Sequence, residues 1–362
     1  MNKPELYPLH GGQLRQIACR FGLSISELLD FSANINPAGP PEAVLSTLRA
    51  SLDDLSVLTE YPDLQEIALK RSIAHYVGVG EEHIVVANGF VPLLESALRT
   101  LNVKTCLLPV PAFGEYRKTL ERLDVGVNIH HLTTASNFSY NSIAMLSGRH
   151  SAILLANPQN PSGVSHDAAT IKDLVRTAAG KGIFILLDEA FIDYVPEDSL
   201  VAAVDEHPNL IIFRSVTKFH GIPGMRVAYA VANPGLASSI ADNLPPWPIT
   251  TLASRAVAAA LNDRQYALRT RAENRTRRDA LRRDLEHLGL TLYPAAANFL
   301  LCRLPSTINP RALWEDMIIT HKTVLRSCAN YEALAPGHFR IAVRSQVENH
   351  RLISLLADEI AP

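Results

Sequence analysis

The sequence predicts an α/β fold, with a large domain built on a mostly parallel mixed sheet between helices and a small α+β domain beside it. Three observations lead there. Short aliphatic and β-branched runs alternate with helical patterns from about residue 80 to 232, as in strands joined by crossover helices. An arginine-rich stretch from about 251 to 288, with apolar residues near helical spacing, reads as one long exposed helix. After it, shorter strand and helix patterns alternate again. At 362 residues the chain exceeds one small core.

Taken in order, residues 1–45 form an N-terminal arm punctuated by Asn36-Pro37-Ala38-Gly39-Pro40-Pro41 and expected to pack with the small domain. Residues 46–250 form the large domain. Strands are predicted at 83–87, 105–109, 127–132, 152–156, 183–187, 210–214 and 226–231. Helices are predicted at 93–101, 115–123, 167–180 and 234–243. Residues 251–362 hold the long helix and then the small domain, with strands at 298–303, 324–326 and 339–343 and helices at 310–319 and 346–359. In open sheets of this kind ligands bind beyond the carboxyl ends of the strands.

Apolar residues make up 47% of the chain, charged ones 19%, and the net charge is −2. Neither a nucleic-acid nor an acidic-membrane surface is expected, since each needs a basic excess. Cys19, Cys106, Cys302 and Cys328 are scattered without a CxxC pair, which fits neither a disulfide framework nor a metal site. The N-terminus lacks an apolar signal region, and no apolar run approaches the roughly 20 residues that span a bilayer. A cytoplasmic protein is expected.

Lys218, in Ser215-Val216-Thr217-Lys218, follows the strand at 210–214. A lysine there is placed for imine chemistry, although an isolated one reads first as a solvated loop residue, and Arg226 is what lifts it. Eight residues on, Arg226 follows Pro223-Gly224-Met225, so a tight turn would bring Ser215, Lys218 and Arg226 to one anion. Asp188 closes an apolar strand, where a carboxylate is costly unless paired. It reads either as a cap or as the partner of a protonated ring nitrogen. Asn157-Pro158-Gln159-Asn160-Pro161-Ser162-Gly163 is a rigid turn that presents an amide, and Asn88-Gly89-Phe90 a strand–turn–helix junction suited to phosphate.

In this order Asn88-Gly89, Phe113, Asn157 to Gly163, Asp188-Glu189-Ala190, Ser215-x-x-Lys218 and Arg226 resemble the active-site series of fold-type-I pyridoxal-phosphate (PLP) enzymes, the class I/II aminotransferase group. His10-Gly11-Gly12, residues 29–37, residues 187–193, residues 326–331 and residues 340–345 are similar to the threonine-phosphate decarboxylase family of cobalamin biosynthesis. Histidinol-phosphate aminotransferases are the sister family and the alternative.

The resemblance implies a homodimer with a shared active site and a phosphorylated amino acid as substrate. It implies pyridoxal 5'-phosphate held covalently by Lys218, with Asp188 on the pyridine nitrogen, Asn160 on the phenolic oxygen and Phe113 stacked on the ring. Ser215, Arg226 and the amides of Gly89 and Phe90 would hold the phosphate, joined by Tyr61 of the second subunit. Tyr61 reads equally as a packed turn aromatic. His10, Asn36, Asn160, Arg326, Arg340 and Arg344 are the substrate candidates; Arg340 and Arg344, four apart on one predicted strand, share a face. Arg340 matches the carboxylate-binding arginine, which leaves Arg344 for the substrate phosphate. Two departures stand out. Phe191 occupies the place where many aminotransferases have Tyr, and Gly89-Phe90-Val91-Pro92 lacks the usual Ser or Thr.

Overall fold

The computed structural model describes residues 7–360; the first six residues of the predicted arm lie outside the described residues. In chain order the strands are β1 (Leu29–Asp30), β2 (Ile84–Ala87), β3 (Thr105–Val110), β4 (Gly126–His131), β5 (Ala152–Ala156), β6 (Phe184–Asp188), β7 (Leu210–Ser215), β8 (Ala228–Ala232), β9 (Thr291–Leu292), β10 (Phe299–Arg303), β11 (Thr323–Val324), β12 (Arg326–Ser327) and β13 (His338–Ala342).

The large sheet has the order β2-β8-β7-β6-β5-β3-β4. Strands β3 to β7 run parallel, and β8 is antiparallel to both neighbours, β7 and β2. Two reversals restore direction, so β2 runs with β7 and ends on the same edge. The chain entering β8 starts from that edge too. The segments after β2, β3, β5, β6 and β7, and the one before β8, therefore converge.

The central strands read as unbroken apolar runs because helices cover both faces. Alternation is still visible in what each residue touches. Ile153, Leu155, Ile185, Leu187 and Ile212 join a core that includes Ile171 and Val175 of the helix Ala168–Ala179. Leu154, Leu186, Ile211 and Phe213 face the opposite core, with Leu94 and Leu98 of the helix Phe90–Thr100.

The small sheet, β12-β13-β10-β9, is antiparallel, and β1 pairs separately with β11. Its core holds Leu300, Trp314, Phe339 and Leu352, together with Ile17 and Phe31 of the arm.

The stretch from 251 to 288 is not one helix. Thr251–Asn262 and Arg264–His287 are separated at Asp263, whose carboxylate accepts from the Tyr266 amide at 2.8 Å and caps the second helix. The first helix is not exposed either: Ala256, Val257, Ala260 and Leu261 are buried in the large core. The second reaches the small one through Leu281 and Leu285. The large core thus runs past 250 through Thr251–Asn262, and Ala267 of the second helix packs with Phe191, Tyr194 and Phe219 between the two cores. The strand foreseen at 324–326 is instead two short strands broken at Leu325. Among the described residues no helix is long and apolar enough to cross a membrane.

Candidate active site

A cleft of about 420 Å³ opens where the sheet edge meets β12 and β13. Its lining includes His10, Gly89, Phe90, Phe113, Asn160, Asp188, Ser215, Lys218, Arg226, Arg326 and Arg340. Strand ends and turns thus bring together residues spread over 330 positions of sequence.

Lys218 lies three residues past the end of β7, and its Nζ is 3.3 Å from Ser215 Oγ and 5.6 Å from the Phe191 ring centre. Burial pushes its ammonium below the ordinary lysine value; Asp188 opposes this, while the charges of Arg226 and Arg340 add to it. Loss of the ammonium proton is therefore easier here than on a surface lysine.

Asp188 ends β6 and is buried. Oδ1 accepts from the Ala190 amide at 2.8 Å and Oδ2 from the Tyr116 hydroxyl at 2.5 Å. Burial pushes its carboxyl above the usual range, and the Tyr116 bond, Lys218 and the Ala190 amide pull it back.

Gly89 precedes the helix Phe90–Thr100 with φ +91°. A Cβ there would lie 2.9 Å from Arg226 Nη2, so the missing side chain is what admits the guanidinium. The first N–H groups of a helix have no intrahelical acceptor, and together with the Arg226 guanidinium they are suited to an anion such as phosphate. Phe113 caps the next helix, Gly114–Arg122, and gives the cleft an aromatic wall. A lysine, a buried carboxylate, an aromatic face and an anion cradle in one cleft fit pyridoxal phosphate group by group.

The opposite side is built from β12, β13 and the arm. Arg326 and Arg340 are cross-strand partners. Arg340 donates to Asn160 Oδ1 at 2.6 Å and to the Ser32 carbonyl at 3.1 Å. Arg326 donates to the carbonyls of Pro8 at 3.2 Å and Leu9 at 2.7 Å, to Ser327 O and to Asn330 Oδ1 at 3.0 Å. His10 pairs with Glu115 at 2.9 Å. Gly11 follows because a Cβ there would stand 2.0 Å from the Ser32 carbonyl.

Two substrate candidates lie elsewhere. β13 ends at Ala342, so Arg344 does not share the Arg340 face; its guanidinium pairs with Glu348 at 2.5 Å, outside the cleft. Asn36 is buried, with its amide nitrogen 3.0 Å from the Phe219 carbonyl and 2.8 Å from the Tyr266 hydroxyl. Asn34, two residues earlier, lines the cleft instead. Tyr61 is 81% exposed and stacks on Trp247 at 4.8 Å, outside the cleft of its own chain.

Tyr116, Glu115, Asn34 and Tyr331 line the cleft without having been singled out. Tyr116 had a signal. It stands three residues after Phe113 at a helix start, on the same face.

A model of the family "Aminotransferase class I and II" matches residues 26–356. The chain is 31% identical over 357 residues to the threonine-phosphate decarboxylase of Salmonella typhimurium, covering 96% of this chain and 95% of that one. It is 26% identical to histidinol-phosphate aminotransferase 2 of Pseudomonas fluorescens, over 97% and 94% of the two chains. Among solved structures it is similar to the histidinol-phosphate aminotransferase of Clostridium acetobutylicum, with a TM-score of 0.85, 27% identity and coverage of 92% and 99%.

Proposed function

The chain is an enzyme of the aminotransferase class I and II family, and from that premise we propose that it decarboxylates L-threonine O-3-phosphate with pyridoxal 5'-phosphate. The products are CO₂ and (R)-1-aminopropan-2-yl phosphate, a precursor in cobalamin biosynthesis.

One observation carries the reading. Arg326 and Arg340 donate to carbonyl and amide oxygens, which leaves their positive charge for an anion. The arginines outside this wall contrast with them: Arg214 is paired with Glu189 and Asp193, and Arg344 with Glu348. Two cationic side chains on one wall, beyond Arg226 in the cradle, suit a substrate with both a carboxylate and a phosphate. Histidinol phosphate carries one anionic group. The 31% relative, named a threonine-phosphate decarboxylase, supports the same substrate.

Lys218, Asp188, Asn160, Phe113, Ser215, Arg226 and the Gly89–Phe90 amides are the residues that would hold the cofactor. Bound there, it supplies an electron sink for the bond broken at the substrate Cα. Which substrate bond is broken is a matter of orientation, and Arg326 and Arg340 would set it by anchoring the two substrate anions. His10 and Phe191 close the cleft, and exclusion of water strengthens these contacts. Lys218, its amine set free by the substrate and protonated with the proton that the substrate's ammonium gives up, would deliver that proton to Cα in place of the departing CO₂. Tyr61, exposed beside Trp247, would reach the cradle of a second copy in a homodimer.

The test is direct. Cofactor-loaded protein given threonine phosphate without any oxo-acid should release CO₂ in equal amount to the phosphorylated amine. The second reading, histidinol-phosphate transamination, is favoured by the 26% relative. Turnover of histidinol phosphate only with an added oxo-acid, without CO₂, would replace the first reading with this one.

A further inference from the structure

We infer that Tyr116 is a positioning residue for the cofactor's ring nitrogen: its hydroxyl holds Asp188 as an oriented carboxylate and keeps the shared proton on the nitrogen. The inference rests on the cofactor reading above.

Tyr116 is fully buried on the helix Gly114–Arg122, which starts directly after β3 and Phe113. Its ring stands edge-on to Phe113 at 5.6 Å and 89°, and lies 5.5 Å from Phe90. Both neighbours line the cleft, so the ring cannot swing without moving a cofactor-facing wall. Its hydroxyl is thereby aimed at Asp188 Oδ2, 2.5 Å away.

The chemistry follows from what Asp188 would otherwise be. A buried carboxyl favours its neutral form, and a neutral acid presents an O–H to a pyridine nitrogen. That reverses the hydrogen bond and removes the positive charge from the ring. Donors to the carboxylate oppose this. The Ala190 amide serves Oδ1 and Tyr116 serves Oδ2, and each oxygen of this cleft-lining carboxylate keeps a second lone pair able to accept. Of the two, only the Tyr116 donor comes from a side chain, and so can be changed alone. Burial and the nearby Asp188 charge hold the Tyr116 hydroxyl well above its ordinary range, so it remains a donor throughout.

The experiment uses the holoenzyme reconstituted with pyridoxal phosphate labelled with ¹⁵N in the ring. The resonance is followed against pH in the wild type and in Tyr116→Phe. The variant should let the ring nitrogen lose its proton at a pH lower by at least about one unit, a tenfold change in proton affinity. Circular dichroism should match the wild type. An unchanged titration in a folded, loaded Y116F overturns the inference. Should Y116F fail to fold, 3-fluorotyrosine placed at 116 is the second variant. Its more acidic hydroxyl donates more strongly and should raise the midpoint; a midpoint that stays or falls overturns the inference. Failure of the wild type to take up the cofactor would instead sink the reading on which this one rests.

Discussion

Arg340 Nη1 donates to Asn160 Oδ1 across 2.6 Å, and this bond joins the small sheet to the turn after β5. An amide whose oxygen is engaged must turn its nitrogen the other way. With its oxygen so engaged, Asn160 has its amide nitrogen left as the group for the donor role proposed above. Arg340→Ala should remove both an anion anchor and this orientation. We expect kcat/KM for threonine phosphate to fall by at least about 100-fold, roughly 3 kcal/mol. Arg340→Lys should restore only part of it, since an ammonium lacks the planar fork. Steady-state CO₂ release measures both, and an R340A enzyme within threefold of the wild type would remove Arg340 from the site.

Gly89→Ala tests the anion cradle. The position has φ +91°, and the added methyl would stand 2.9 Å from Arg226 Nη2. Backbone strain of about 1–2 kcal/mol is expected, with cofactor affinity weakened about 10-fold or more as Arg226 is displaced. Equilibrium titration of the apoprotein with pyridoxal phosphate gives the affinity, and thermal unfolding gives the strain.

Arg344→Ala should behave like a surface change. Its partner Glu348 is one helical turn away and both are partly exposed, so the pair contributes no more than about 1 kcal/mol. Turnover should stay within about twofold of the wild type, since an effect that small is all a packing change of this size supplies. A loss comparable to that of R340A would return Arg344 to the substrate site.

Glu66 makes stability depend on pH. Burial first, then the neighbouring Asp63, raises its pKa from 4.5 to about 7, with Ser254 and Lys70 opposing, and its Oε1 has no hydrogen-bond partner among the described residues. The folded pKa lies above the unfolded one. The contribution is therefore full below pH 4.5 and is lost as pH rises through about 7. Allowing for screening on its open side, about 2 kcal/mol is at stake. Glu66→Gln should raise the melting temperature at pH 8 and leave it nearly unchanged at pH 4.5. Equal shifts at both values would contradict this.

Much of the cleft was legible because its residues sit where apolar runs stop. Asp188, Lys218 and Asn160 each follow a strand, and a parallel sheet sends such positions to one edge. Gly89 and Arg226 were legible as punctuation around the next elements. The misreadings share a cause: register across irregular backbone. Arg344 was placed on a strand that ends two residues earlier, and Asn36 was taken for the cleft residue that Asn34 is. Asp263 passed unnoticed because a helix stop and the following N-cap occupy adjoining residues, Asn262 and Asp263. Most of the neutral acceptors on Arg326 and Arg340 could not be foreseen, since Pro8, Leu9, Ser32 and Asn160 are remote in sequence and only Ser327 and Asn330 are local.

The described part of the arm is fastened along its whole length, and three of its ties matter here. Arg326 grips the carbonyls of residues 8 and 9, the Phe31 carbonyl takes the Ala342 amide, and the Asn36 amide donates to the Lys218 carbonyl at 3.0 Å. Ends so tied make the arm a strap over the substrate half of the cleft, while the phosphate cradle is assembled wholly within the large sheet. Under the proposed function, severing the strap between residues 12 and 30 should therefore weaken capture of substrate more than occupancy by cofactor.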